Sequence, residues 1–427
     1  MNKVKSAMGA HRCAPMLLYL LLASLLFTAC HDDAEDIENM TKQTVFVYMP
    51  WTGSQSNSGL LTALKANLDS IESAIRSTNG LGDTRALVFL SETATSSTLF
   101  EFTYDDKQRT ISRNTLKTYS GADYIQLEGL KAILEDVKSM APANNYAMIV
   151  GGHGTGWTFK DSWEKYPYYA PQAFFCNDDA DNMATTRAYQ SNGNDPETRF
   201  FGSVSDLKSY STDVPTLAKA IEDAGMKMQF IMFDDCYMSN VEVAYELRNV
   251  TNFLIASTCE VMKVGFPYQT MWASLARWQP QYSAAVSAFK SFYQNYQYPY
   301  GTVAAIDCRK MEELAAVMKL INEKYSFDET KLEELQVLDG FNTHIFYDFG
   351  DYVNHLCTEK ALANRMESAL NSVVVSKANT DEFYTYLYQS PYTVKLNTFS
   401  GIAISDPSQN SVVKKSIDRT AWYKATH

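Results

Sequence analysis

The chain is poor in the residues that build metal centres and disulfide frameworks. Its 427 residues include six histidines and seven cysteines. None of His31, His153, His344, His355 and His427 stands at zinc-ligand spacing, and no Cys-x-x-Cys occurs. Cys13 and Cys30 lie in the N-terminal segment. Cys176, Cys236, Cys259, Cys308 and Cys357 remain, an odd number that cannot pair completely and leaves a thiol to be explained. An excess of basic charge is also missing: Lys and Arg number 37 against 49 Asp and Glu, for a net charge of -12. That balance excludes a phosphate-seeking surface, so no nucleic-acid partner is expected. No internal repeat is visible, and no linker is clear beyond one irregular stretch, so one enlarged domain and a monomer are expected.

A long membrane-crossing run is absent as well. Met16–Phe27 is apolar but too short to span a bilayer comfortably. Lys3, Lys5 and Arg12 precede it and Thr28-Ala29-Cys30 closes it, which describes an export signal over residues 1–29. The end of the run resembles a bacterial lipobox, with Phe27 where Leu is usual, and this implies lipidation of Cys30. Residues 30–43, acidic from Asp32 to Glu38, read as a solvated tether. The expected location is the bacterial outer membrane or cell surface, held by a lipid anchor. A simple secretory signal cut near the same point is the alternative.

Residues 44–427 alternate β-rich apolar runs with amphipathic helical stretches, the pattern of a parallel sheet covered by helices. Strands are expected at 44–50, 85–90, 146–150, 229–233, 252–256 and 303–306, with a late one at 400–405. Leu60, Leu61, Leu64, Leu68, Ile71 and Ile75 mark one face of a helix over 60–76. Further helices are expected at 126–140, 214–224, 310–325 and 360–375, and a side hairpin at 99–113. The part from 309 to 427 is helices and strands with aromatic-rich connections. The stretch 159–202 has neither period and reads as a functional or disordered insertion.

Two strands end in unusual sequences. One runs Tyr146-Ala-Met-Ile-Val-Gly-Gly-His153-Gly-Thr-Gly-Trp157. The other runs Phe230-Ile-Met-Phe-Asp234-Asp235-Cys236-Tyr-Met-Ser-Asn240. Sites in parallel sheets form beyond the carboxyl ends of strands, so His153 and Cys236 converge if these strands are neighbours. Glycines around the imidazole let backbone and substrate approach. A Cys on a strand-to-helix turn has backbone N–H groups and a helix N-terminus nearby to stabilise a thiolate or oxyanion. Taken singly, a buried Cys is more often a small hydrophobe and a lone His more often structural. The glycine-rich stretch does not fit a phosphate loop, which needs Lys-Ser/Thr or GxGxxG.

Together, a strand ending in His-Gly and a later strand ending in Asp-x-Cys resemble the clostripain family of cysteine peptidases, relatives of caspases, legumains and gingipains. Met238–Leu247, Phe253–Ser257, Gly265-Phe-Pro-Tyr268, Asp348-Phe-Gly-Asp-Tyr352 and Ser400–Ser405 resemble the segments that follow in the family. The resemblance spans roughly residues 44 to 406. It implies a caspase-like α/β sandwich, with a mainly parallel central sheet and helices on both faces. It implies an endopeptidase acting on protein or peptide substrates, in which Cys236 attacks the carbonyl and His153 relays protons. By analogy, the N–H groups of Gly154 and Cys236 would hold the oxyanion. Asp234, with Glu260 the nearest candidate for a second acid, would select Arg or Lys at the cleavage point. Asp235 departs from the family, which usually has a small residue there, and would oppose the thiolate unless it points away, toward the core side or a neighbouring backbone.

The family also implies self-cleavage between His and Cys, for which Lys160, Lys165, Arg187 and Arg199 are candidate sites. No cofactor is required. Calcium activates some relatives, and Asn177-Asp178-Asp179-Ala180-Asp181-Asn182 is acidic enough to attract it, though it lacks the Gly and Glu of an EF-hand loop. Two other functions compete with hydrolysis. One is a surface lipoprotein that binds peptide or glycan without catalysis, and the other a transpeptidase using the same thioester.

Overall fold

The structure, a computed structural model, describes residues 41–51, 60–163, 210–386 and 392–427. The N-terminal signal, Cys30, the tether up to residue 40, and Lys165, Cys176, Asn177–Asn182, Arg187 and Arg199 lie outside the described residues.

Strands β1 (Thr41–Met49), β2 (Thr84–Thr93), β5 (Ala143–Gly151), β6 (Met228–Asp234), β7 (Phe253–Ala256) and β8 (Thr302–Asp307) form the buried centre of the sheet, on which helices and loops pack the rest of the core. Val45 to Met49 are buried without a break, as are all six residues of β8, because both sheet faces are covered. β3 (Ser96–Asp105), β4 (Thr110–Ser120) and β10 (Val374–Asn379) complete one nine-stranded sheet in the order β10-β8-β7-β6-β5-β1-β2-β3-β4. The pairs β1–β2, β5–β6 and β6–β7 are parallel, whereas β2–β3, β3–β4, β7–β8 and β8–β10 are antiparallel. The sheet is therefore mixed, parallel at its centre. β4 forms an exposed edge whose Arg113 and Lys117 point to acids on helices, which blunts edge-to-edge pairing.

Helices α1 (Leu60–Ser77), α2 (Leu127–Met140), α3 (Val214–Asp223), α4 (Val241–Leu247), α5 (Tyr268–Leu275), α6 (Tyr282–Asn295), α7 (Met311–Asn322), α8 (Phe349–Leu356), α9 (Lys360–Val373), α10 (Ser411–Ser416) and α11 (Ala421–Thr426) fill the connections. α1 buries Leu60, Leu64, Leu68, Ile71 and Ile75 at helical spacing, with Leu61 at the margin. α1, α5 and α6 pack on one another, while α2, α3, α4, α7 and α11 form a second set. Right-handed crossovers explain the division. The chain steps outward from β1 to β2, but from β5 to β6 to β7 it steps the other way, so the connecting helices fall on opposite faces.

Two expectations need correction. The late strand at 400–405 shortens to β13 (Ala403–Ile404), which pairs with β9 (Tyr347–Asp348) in a separate two-stranded sheet rather than joining the main one. The aromatic-rich connections after residue 309 hold a hairpin of β11 (Glu382–Thr385) and β12 (Tyr392–Lys395), and two helices that were not anticipated, α5 and α6, lie between β7 and β8. Aromatic density masked the helical period there: α6 buries Phe289 and Tyr293, whose tilted rings lie 4.5 Å apart, rather than an aliphatic stripe.

Candidate active site

The register of β5 on β6 does the first work. Gly151 pairs with Asp234 in parallel, so His153 and Cys236 each stand two residues beyond a matched pair. The two loops then touch. A Cβ on Gly154 would lie 2.3 Å from the Cys236 carbonyl oxygen and 2.9 Å from the Asp235 Cβ, which only a residue without a side chain permits. The peptide units of Gly154 and Cys236, expected to serve the oxyanion, are thus neighbours.

Cys236 is buried, and its Sγ accepts the Val261 N–H at 3.3 Å. Tyr237 follows in the left-handed region at φ 63°, an uncommon conformation for a side chain of this size. Its backbone is pinned by its N–H, which donates to the Cys259 carbonyl at 3.1 Å. Its ring stacks on Phe346 at 5.3 Å, and its hydroxyl donates to Glu260 at 2.8 Å. Burial first, and then the Glu260 charge, push the Tyr237 hydroxyl well above its ordinary range, so it stays a donor. α4 begins only at Val241, where the Asn240 side chain accepts the Val243 N–H at 2.9 Å. That helix terminus is capped by its own chain, so the backbone around Cys236 is the nearer source of stabilisation for negative charge.

Asp235 settles the question its charge raised. Its Oδ1 accepts the N–H of Gly152, so the carboxylate engages the neighbouring backbone and ties the His153 loop to the Cys236 turn. Asp234 is fully buried. One of its oxygens accepts the Phe266 N–H at 3.0 Å and the other the Tyr268 hydroxyl at 2.7 Å. The Gly265-Phe-Pro-Tyr268 turn is therefore the cradle of that carboxylate. Glu260 is equally buried and also accepts from Thr385 Oγ1 and from the Tyr386 N–H at 3.0 Å. Lys160 is held by its N–H on Asp213 at 2.9 Å and its ammonium on the Ser211 carbonyl at 3.2 Å.

The remaining described cysteines, Cys259, Cys308 and Cys357, are buried and unpaired with one another. Burial pushes the Cys259 thiol up to about 12 and the Cys308 thiol higher still, so both behave as small hydrophobes. Among the described residues no group of three or more His, Cys, Asp or Glu could hold a metal ion, and no helix is long and apolar enough to cross a membrane.

A family model described as the clostripain family, peptidase C11, matches residues 188–422. A secreted C11 cysteine protease from Bacteroides thetaiotaomicron, "iotapain", is 40% identical over 91% of this chain and 99% of its own, with a TM-score of 0.77. The chain belongs to the clostripain family. It is a cysteine-type peptidase of caspase-like fold. A clostripain from the same organism, solved with a peptide inhibitor, is 48% identical over 51% of this chain and 96% of its own, at a TM-score of 0.50. An inactive zymogen C11 protease from Parabacteroides distasonis is 26% identical over 91% of this chain and 99% of its own, at a TM-score of 0.70. No curated protein sequence matches the chain.

Two supports of this clostripain site escaped sequence reasoning. The Gly152–Asp235 tether joins residues whose relation is visible only once the strands pair. The loop around Asp339, which carries Phe346 onto Tyr237, carried one signal, the turn-forming pair Asp339-Gly340.

Proposed function

We propose that this clostripain relative is an exported cysteine endopeptidase in which Cys236 is the nucleophile and His153 the general acid–base. The observation that carries the reading is the β5–β6 register with Gly154 packed on the Cys236 backbone. The thiol attacks the peptide carbonyl and forms a thioester. The imidazole moves the thiol proton to the departing amine and later activates water. The neighbouring peptide units of Gly154 and Cys236 supply donors for the oxyanion.

Cleavage after Arg or Lys is the specificity we infer. Asp234 precedes Cys236 by two residues, and Glu260 adjoins Val261, whose N–H reaches the thiol. Two buried carboxylates so close to the nucleophile make a base on which a guanidinium or ammonium gains charge-assisted hydrogen bonds. The related clostripain binds an inhibitor whose peptide part reads Val-Leu-Thr-Lys, which agrees with this preference. The signal-like N-terminus and a relative described as secreted support export, and the lipobox-like pattern supports lipidation at Cys30. Lys165, Arg187 and Arg199 are the candidate sites for self-processing. Lys160 is the least suitable site, because its backbone and ammonium are both tied into folded structure.

The test uses Arg, Lys, Asn and Asp reporter peptides on the wild type, Cys236→Ala and His153→Ala. Cleavage after Arg or Lys that falls to background in both variants is expected. Equal cleavage after Asn or Asp would sink the basic specificity alone. Cleavage that survives in Cys236→Ala would remove the proposed nucleophile.

A further inference from the structure

The chain leaves the centre of the sheet in opposite directions from β1 and from β5, and these two strands lie side by side. Ligands collect in the crevice beyond the carboxyl ends of strands at such a switch point. A cavity of about 110 Å³ opens there. Tyr48 and Trp51 contribute from the end of β1, Val150 from β5, Leu130 from α2, Leu217 from α3, and Met238 from the turn after Cys236. His153 and Gly154 form part of its wall. Phe233 and Asp235 line it, whereas Asp234 and Cys236 do not, which separates it from the thiol and from the two buried acids assigned to basic recognition.

The chemistry of acyl transfer says what belongs beside His153. When the carbon–sulfur bond forms and the carbon–nitrogen bond breaks, the leaving amine takes its proton from the imidazole. That nitrogen belongs to the residue after the scissile bond, so this residue must lie against the imidazole. We propose that the cavity receives the side chain of that residue and favours an aliphatic one of leucine or methionine size. This deepens the peptidase reading and rests on it.

Size and lining both argue for an aliphatic occupant. Drug-sized ligands occupy roughly 300–1,000 Å³, and a dry cavity of about 150 Å³ holds one benzene, so this space suits a single medium side chain. The wall is mostly apolar. Its two acids already accept protein donors, Asp213 from the Lys160 N–H at 2.9 Å and Asp235 from Gly152. An acidic side chain there would lose its hydration beside two carboxylates, and glycine would leave the space unfilled.

Internally quenched peptides that differ only in the residue after the scissile bond (Gly, Leu, Met or Asp) test the proposal. Expected kcat/KM values are about 10-fold or more higher for Leu and Met than for Gly, with Asp lowest. Leu217→Trp, which fills the cavity from α3, should bring the Leu-to-Gly ratio close to one. Leu130→Phe, reaching in from α2, gives the same readout should Leu217→Trp misfold. Equal values across the panel in the unaltered protein, or a ratio untouched by both variants, would overturn the assignment. A coumarin amide with no residue after the scissile bond separates two failures. Its turnover alongside equal values across the panel removes the cavity's role alone, while no turnover of any substrate removes the peptidase reading and the cavity's role with it.

Discussion

At the scale of single residues, Asp235 carries most of what was unexpected. Its sequence position beside Cys236 argues for an unfavourable charge, yet its carboxylate accepts the Gly152 N–H. Asp235→Ala leaves that buried N–H without an acceptor, at a cost of about 1–3 kcal/mol. It also frees the loop that aims His153. A displacement on the order of 1 Å in a reacting group costs about 100-fold, and a loss of that order in kcat/KM is expected. Asp235→Asn keeps an oxygen for the same N–H and should retain most of the rate. Steady-state assays of both variants decide it. Equal losses in Ala and Asn would show that the charge matters rather than the tether. His153, Cys236 and Asp234 could be singled out in the sequence because each sits at a fixed offset from a strand end. The partner of Asp235 was not, since a contact between residues 152 and 235 depends on strand pairing that no local pattern encodes.

Among the elements, the parallel strands and amphipathic helices were readable because burial imposes a period on them. β1, β5 and β6 fall within a few residues of their expected bounds, as do α1, α2 and α3. The loop from Asp339 to Phe346 has no such period, and its order comes from one buried acid. Asp339 accepts the N–H groups of Phe341, Ile345 and Phe346 at 2.9, 2.7 and 2.7 Å, and pairs with His344 Nδ1 at 2.9 Å. That loop sets Phe346 on Tyr237 and against Gly156, where a Cβ would come within 2.5 Å of its ring. Asp339→Ala strands several buried donors and should cost about 3–5 kcal/mol, with a lowered urea midpoint and a parallel fall in activity. Burial opposes the charge on His344, but its hydrogen bond to Asp339 prevails and raises its pKa. The pair therefore contributes most below the ordinary histidine range and fades as pH rises through the raised value. His344→Gln should abolish that part of the pH dependence while leaving the three backbone bonds. An unchanged pH profile in His344→Gln would deny His344 this role.

Across the whole molecule, the two loops of the site are joined again at their rear. The Ser239 carbonyl accepts the Ala403 N–H at 2.9 Å, the Ser405 N–H donates to Glu242 at 2.9 Å, and Trp157 Nε1 donates to Ser405 Oγ at 2.8 Å. The His153 loop, the helix after Cys236 and the C-terminal segment thus meet at Ser405, and two acids sit at that joint. Asp406 is half-buried as a residue, but both its carboxylate oxygens are out of solvent without a hydrogen-bond partner, as is Glu242 Oε2. Burial pushes the Asp406 carboxyl up to about 7, and burial together with the Asp406 charge holds Glu242 well above the carboxylate range. In the unfolded chain both ionise near their ordinary values of about 4. The folded protein therefore keeps protons that the unfolded chain gives up. Asp406's contribution is fullest in acid and is lost as pH rises through about 7, and Glu242's is lost in the same direction. Over roughly pH 5.5 to 8 the loss should be on the order of 1–3 kcal/mol. Urea midpoints across that range should fall with pH in the wild type. They should flatten in Asp406→Asn, and further in the double variant with Glu242→Gln. A slope unchanged in both variants would place the pH dependence elsewhere. If the joint also steadies catalysis, the loss of activity on heating at the upper pH should slow in the same variants.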